Sequence, residues 1–336
     1  MSRPPAVARV LERVTVTARR HDMFLPGQTV LVACSGGPDS MCLLYALHHL
    51  RRLFKVKLEV FHLDHQLRSG SNRDAEYVRR VAGRLHLPFH VAVAGSKPAK
   101  GQSVEQWARS VRIGRMVEAM REVGAAKVAI GHTLDDQAET VLMAVLVGSG
   151  LEAVAGIAPS VGPFVQPLIE VGRPEVEAFC RALHLRPRHD PTNRDVRFLR
   201  NAVRLEGLPA LERALGRELR WPLARTGSLL FEDARELARQ ASPAIAELVE
   251  EVAGGVRVSA RELLGLPRAI SARVVRQAVL RSGGPPTRED VDAVLDLAAG
   301  RPGRRRDLSS GLKASRDKEY VSISRRSPES RDSGGT

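Results

Sequence analysis

The residues best equipped for chemistry fall in short clusters. Ser35-Gly36-Gly37-Pro38-Asp39-Ser40 joins an apolar run at 29–34 to a stretch in which Leu43, Leu47, Leu50 and Leu53 recur at helical spacing. A strand, a glycine turn and a helix N-terminus together aim backbone N–H groups at an anion. Two adjacent glycines admit a phosphate with no Cβ in the way. No Lys-Ser/Thr pair closes the turn, so it is not a Walker loop. It carries an acid, Asp39, where that loop carries lysine. A carboxylate repels a polyphosphate unless a cation lies between them, so the turn points to nucleotide binding with Mg2+.

A second cluster, Gly131-His132-Thr133-Leu134-Asp135-Asp136-Gln137-Ala138-Glu139-Thr140, places Asp135 and Asp136 four and three residues before Glu139. Like charges at these spacings destabilise a helix by about a few tenths of a kcal/mol each. Acids in a first turn suit the helix dipole, but three acids beside His132 exceed what a cap needs. The expectation is a site for Mg2+ and a cationic substrate group.

Three further clusters carry less. In His62-Leu63-Asp64-His65-Gln66-Leu67-Arg68 the histidines are too few for a closed zinc site. A nucleotide or substrate contact and packing at a strand end both fit them, and Arg68 suits a phosphate or a solvated loop. Glu105 and Arg109 form a favourable i,i+4 pair, whereas Arg112 on the same face has no partner in its stretch. In 189–204, Asp195 suits a helix N-cap. Arg200 and Arg204 stack at i,i+4, a repulsive pair unless an anion or an acid faces them.

The elements that must position these groups alternate. Strands are expected at 29–33, 57–63, 89–93 and 127–130, with helices at 39–53, 71–86, 103–123 and 134–147. Repeated β-α units predict an α/β fold with a doubly wound parallel sheet. A further strand is expected at 164–171 and helices at 173–185 and 198–215. Residues 221–252 read as one or two amphipathic helices broken at Pro243. Helices at 269–281 and 288–299 and a hairpin over 307–324 suggest a small α+β domain, with Arg304, Arg305 and Arg306 between them. The expected division is an N-terminal helical segment at 1–24, a catalytic domain at 25–215, a helical linker at 216–253, the small domain at 254–325 and a disordered tail at 326–336.

Composition narrows the class. The net charge of +14 favours a polyanionic partner, nucleic acid above all. Aromatic residues make up 4% of the chain, which argues against recognition by many stacked bases. No apolar run approaches the roughly 20 residues of a membrane span, and residues 1–20 lack a secretory apolar core. Cys34, Cys42 and Cys180 form no disulfide or metal spacing, which points to the cytoplasm.

Taken in order, the loop at 35–40, His62-x-x-His65-x-x-Arg68, Gly131-His132-x-x-Asp135-Asp136-x-x-Glu139-Thr140 and Asp190-Pro191-x-Asn193-x-Asp195-x-x-x-x-Arg200-Asn201-x-x-Arg204 resemble the tRNA(Ile)-lysidine synthase family. That family belongs to the PP-loop, or N-type ATP pyrophosphatase, superfamily. The resemblance covers roughly 25–215 closely and 256–325 more weakly, as a shorter member without a long C-terminal extension. Ile113 stands where the family often has Tyr.

The resemblance implies an adenine nucleotide alpha hydrolase-like catalytic domain followed by helices and a small tRNA-binding domain. It implies adenylation of the wobble cytidine of tRNA(Ile) with a CAU anticodon, then displacement of AMP at C2 by free L-lysine. By the same resemblance Ser35, Gly36, Gly37, Pro38, Asp39, Ser40, His62 and His132 would bind ATP, and Asp39 and Asp136 would bind Mg2+. Glu139, Arg204 and Arg200 would bind lysine. Asp39, Asp135, Glu139 and Arg112 would serve catalysis, and Arg68, Arg109, Arg304, Arg305 and Arg306 would touch tRNA. A homodimer is left open. A tRNA thiolase of the same superfamily and a non-catalytic RNA-binding protein are the alternatives. The first lacks suitably spaced cysteines here, and the second is at odds with the intact acids.

Overall fold

The computed structural model describes residues 3–64, 72–95, 104–188 and 195–325, with the side chains of 104–106 left out. The chain divides into two compact units, Met1–Phe231 and Glu232–Thr336.

In the first unit, α1 (Pro5–Arg20) precedes β1 (Thr29–Ala33), α2 (Pro38–Phe54), β2 (Lys57–Asp64), α3 (Asn72–Arg84), β3 (Phe89–Val93), α4 (Val104–Glu122), β4 (Lys127–Ala129) and α5 (Leu134–Leu146). Then come α6 (Leu151–Val154), β5 (Ser160–Val161), β6 (Phe164–Val165), α7 (Arg173–Ala182), α8 (Leu199–Ala202) and α9 (Leu208–Leu215). The sheet order is β3-β2-β1-β4-β6-β5, and all pairings are parallel except β5 with β6. Both faces of β1 are covered. Val30 and Val32 pack with Leu43, Leu47 and Val60, while Leu31 packs on the other side with Phe61, Met116 and Val128. A strand buried on both faces has no polar side to show, which is why it reads as a continuous apolar run.

The doubly wound α/β fold is as expected, and its topology places the clusters. From β1 the chain steps outward to β2 and β3, then returns to set β4 on the other side of β1. Where strand order reverses, the carboxyl ends of neighbouring strands part and leave a crevice. The glycine turn follows β1 and the acidic cluster follows β4, so both open onto it.

Two elements of this unit differ from expectation. The strand expected at 164–171 is only Phe164–Val165. Pro167 has no N–H for a ladder, and the backbone turns instead, with Val171 N–H donating to Leu168 O at 2.8 Å. The helix expected at 198–215 is split by a π-helical turn, Val203–Gly207. Pro209 cannot donate to the carbonyl four residues back, and Leu208 N–H closes the wider bond to Val203 O.

The boundary between units falls within α10 (Arg220–Leu248), which continues through Pro243 rather than breaking there. Pro removes one hydrogen bond of the ladder, and the turns on either side persist. In the second unit, β7 (Val249–Val252), β8 (Gly255–Ser259), α11 (Ala260–Gly265), α12 (Arg268–Arg281), α13 (Arg288–Ala299), β9 (Arg305–Asp307), β10 (Leu312–Arg316) and β11 (Tyr320–Arg325) follow. The strands form an antiparallel sheet in the order β7-β8-β11-β10-β9. Val256, Val258, Val321 and Ile323 pack with Val274 and Val294 of its helices. Val249–Val252 thus belongs to a sheet, although it lies in the stretch expected as a helical linker. In the expected hairpin the turn at 317–318 is closed by the Asp317 carboxylate, which accepts from the N–H groups of Glu319 and Tyr320 at 2.7 Å each. No helix among the described residues is long and apolar enough to cross a membrane.

Candidate active site

The glycine turn is held from within. Ser40 Oγ, on the first turn of α2, accepts from the N–H groups of Ser35 and Gly36 at 3.2 Å each and donates to Gly37 O at 3.0 Å. Gly36 has φ +88°, and a Cβ there would lie 3.2 Å from the Tyr77 ring. At Gly37 a Cβ would meet only Ser35 Oγ at 3.5 Å and Arg188 O at 4.0 Å. His62, only 4% exposed, bonds through Nδ1 to Cys34 O at 2.8 Å, so it anchors the end of β1 where the turn begins. It can face a ligand only through Nε2.

The second cluster is pressed against this turn. A Cβ on Gly131 would sit 3.2 Å from the carbonyl carbon and oxygen of Asp39. Only glycine lets the two backbones approach so closely.

Thr133 caps α5, and Asp136 completes a capping box, its Oδ2 accepting from Thr133 N–H at 2.9 Å and Oγ1 at 3.0 Å. Its Oδ1 faces Arg204 at 3.8 Å and Arg200 at 4.0 Å. Burial opposes ionisation of Asp136, but His132, Arg200, the Thr133 N–H and Arg204 outweigh it and hold its carboxyl below the usual range. Asp136 therefore both caps the helix and presents charge.

Asp39 differs. Burial, aided by the nearby Asp136, pushes its carboxyl up to about 6 against the pull of Arg173. Arg173 Nη1 bonds both Asp39 oxygens at 2.9 Å. The backbone N–H of Arg173 donates to Asp135 Oδ2 at 2.7 Å, and Arg220 Nε reaches Asp135 Oδ1 at 3.1 Å. Burial raises Asp135 as well, against these two donors.

Glu139 is 2% exposed and answers the repulsion between Arg200 and Arg204. Arg204 Nε donates to its Oε1 at 2.7 Å and Nη2 to its Oε2 at 3.0 Å, while Arg200 Nε donates to Oε2 at 3.1 Å. Arg200 is fixed independently by bonds from Nη2 to Thr140 Oγ1 at 2.8 Å and Asp136 O at 3.2 Å. Arg112 has an exposed side chain on α4. Solvent reaches it, yet partial desolvation by the surrounding chain, then Arg109 and Arg200, lowers its pKa from the usual arginine value. His132 bonds Gln166 Oε1 through Nδ1 at 3.0 Å, and burial lowers its pKa despite Asp136. The imidazole is then neutral near pH 7, with Nε2 an acceptor.

The structure thus brings Asp39, His132, Asp135, Asp136, Glu139, Arg200 and Arg204 into one network. Arg304, Arg305 and Arg306 are exposed at and before β9 of the second unit. Arg109 is exposed on α4. Arg68, His65, His189, Asp190, Asn193 and the side chain of Glu105 lie outside the described residues, as does the tail at 326–336. Sequence reasoning missed Arg173, Arg220 and Gln166. Each lies far along the chain from the acid or histidine it serves. In a chain with 52 Lys and Arg residues, one more arginine at a helix start carries no signal.

Among the described residues no three His, Cys, Asp or Glu side chains form a metal cluster. Mg2+ does not need one, because it is commonly held by one or two carboxylates together with substrate phosphates. Asp39 and Asp136 fit that role, since their mutual repulsion is what a cation relieves. The glycines separate two effects. Gly37→Ala is expected to leave the melting temperature unchanged and to weaken ATP binding. Gly36→Ala is expected to cost about 1–2 kcal/mol of stability from its positive φ. Thermal melts beside ATP titrations check both, and unaltered ATP affinity in Gly37→Ala would remove the turn from the binding site.

Residues 9–211 match the PP-loop domain family. The chain is 38% identical over 329 residues to the tRNA(Ile)-lysidine synthase of Symbiobacterium thermophilum, covering 91% of this chain and 67% of that one. It is 36% identical over 320 residues to the enzyme of the same name from Thermobifida fusca, covering 90% of this chain and 96% of that one. It spans 58–60% of the length of several further relatives so named. Among solved structures, a U34-tRNA thiolase from Methanococcus maripaludis superposes with a TM-score of 0.57 at 17% identity, over 68% of this chain and 80% of that one, a likeness of fold.

Proposed function

The chain belongs to the tRNA(Ile)-lysidine synthase family of PP-loop enzymes, and on that premise we propose that it ligates L-lysine to C2 of the wobble cytidine of tRNA(Ile) with a CAU anticodon. Adenylated tRNA is the intermediate, and AMP and pyrophosphate are the products. The observation that carries this reading is the close contact of two chemistries at one crevice. The glycine turn and the acidic cluster meet at Gly131, and Arg173 joins Asp39 to Asp135.

In the first step the cytidine O2 attacks the α-phosphorus of ATP, and pyrophosphate leaves. Ser35–Ser40 and the N-terminus of α2 hold the phosphates, with His62 and His132 bordering the nucleotide. Asp39 and Asp136 would hold Mg2+, which when bound offsets the charge of the departing pyrophosphate. In the second step the lysine ε-amine attacks C2, and the O2 atom leaves with AMP. The amine must be neutral to attack, so a carboxylate must hold the ammonium and take a proton. Glu139 is that group, with Asp135 beside it. Arg204 and Arg200 match the α-carboxylate of lysine, and Arg112 meets anionic charge near them.

The test is pyrophosphate and AMP release by the purified protein with ATP and tRNA(Ile). Release that requires tRNA, and lysine rather than sulfide for turnover, supports the reading. Release without tRNA, or turnover with sulfide, overturns it. The thiols already argue against sulfur transfer, because burial pushes Cys34 and Cys180 up to about 11 and leaves little thiolate at neutral pH.

The second unit is proposed to hold tRNA through phosphate contacts. Replacing Arg304, Arg305 and Arg306 together by Ala is expected to lower the salt dependence of tRNA binding by about 2–3 in log–log slope, since each lost contact releases one counterion fewer. All three side chains are exposed, so the melting temperature should hold. An unchanged slope measured by filter binding would exclude this strip.

A further inference from the structure

Among the described residues Arg173 is the cation bonded to the acid of the glycine turn, and nothing in the reaction above uses it. It is the first residue of α7, whose N-terminus is fixed by Gly172 N–H donating to Glu175 Oε2 at 3.1 Å. The Arg173 backbone is held further by its bond to Asp135. Its side chain is 42% exposed, so solvent and a ligand can reach the guanidinium. Nη1 lies 2.9 Å from each Asp39 oxygen and Nε 3.4 Å from Glu177, while Nη2 has no hydrogen bond among the described residues.

A guanidinium on Asp39 and a divalent cation on Asp39 compete, because both are positive and both seek the same oxygens. The competition ends only when the guanidinium gains another anion. A polyphosphate laid along the turn is such an anion, and it arrives with the cation. Arginine suits this exchange, since its fork matches phosphate as well as carboxylate geometry.

We propose that Arg173 is a phosphate-binding residue that occupies Asp39 between turnovers and transfers to the polyphosphate when the metal–nucleotide complex enters. Free divalent cations are thereby kept from the acid until nucleotide is present. This rests on the reading above that the turn binds phosphate and that Asp39 holds the cation.

The experiment measures two affinities that do not depend on turnover. Mn2+ binding to nucleotide-free protein is followed by the loss of its free-ion EPR signal, and pyrophosphate binding in the presence of Mg2+ by calorimetry. Arg173→Gln is expected to bind Mn2+ at least threefold more tightly and pyrophosphate at least tenfold more weakly. Arg173→Lys keeps the charge without the fork, and is expected to return Mn2+ affinity to within threefold of the parent. Glu177→Gln touches only the outer side of the guanidinium and should leave both affinities within twofold. A parent that bound neither probe would bring down the phosphate reading of the turn and this proposal with it. A parent that bound both, with Arg173→Gln within twofold of it on either, would overturn the proposal alone.

Discussion

Glu139→Gln is expected to stall the reaction halfway, with adenylated tRNA accumulating and the lysine requirement rising by at least about 30-fold. That factor corresponds to about 2 kcal/mol, the lower end for truncating one partner of a buried charge pair. Glutamine keeps the size of the side chain, and Arg200 keeps its bonds to Thr140 Oγ1 and Asp136 O, so the neighbouring geometry has reason to survive. The lost charge leaves Arg200 and Arg204 facing each other with Asp136 as their nearest acid. The measurement is adenylated tRNA with and without lysine, in the variant and the parent. Abolished adenylation with an unchanged lysine requirement would move Glu139 to the cation site.

Asp39→Asn is expected to do the reverse. Adenylation and pyrophosphate release should fall by about 100- to 1000-fold, the size of effect that losing one preorganised group at a developing charge has on turnover. Adenylated tRNA made by the parent and handed to the variant should still accept lysine. Failure of that second step in the variant would give Asp39 a wider role. Stability provides an independent sign. The folded Asp39 carboxyl lies near 6 through burial, above its unfolded value. A raised acid favours the folded state at low pH, and that contribution is lost as pH rises through about 6. In metal-free buffer the parent should therefore lose stability relative to Asp39→Asn as pH is raised from about 4 to about 7.

How much of this was legible in the sequence varied with the range of the interaction. The turn after β1 was readable because strand, glycines and helix start are contiguous. The repulsion between Arg200 and Arg204 was readable because their spacing is local, and it called for a bound anion or an acid opposite. That Glu139 is this acid depends on a chain separation of 61 and 65 residues, which no local pattern encodes. Arg173 and Gln166 were silent for the same reason. Element boundaries failed where proline rewrote the hydrogen bonding, at Pro167 and Pro209. Arg305–Asp307 was missed because a short charged edge strand has no apolar alternation to display.

The π-helical turn at Val203–Gly207 has an effect beyond its length. A regular helix would tie the direction of Arg204 to that of every residue after it, at about 100° per step. One surplus residue breaks that phase. Arg200 and Arg204 point toward Glu139, while Leu208 downstream is fully buried with Val203 and Leu142. Deleting a single residue from the turn would restore the regular phase and swing Leu208 by about 100° relative to Arg204, so that the apolar anchor and the guanidinium pair could not both keep their places.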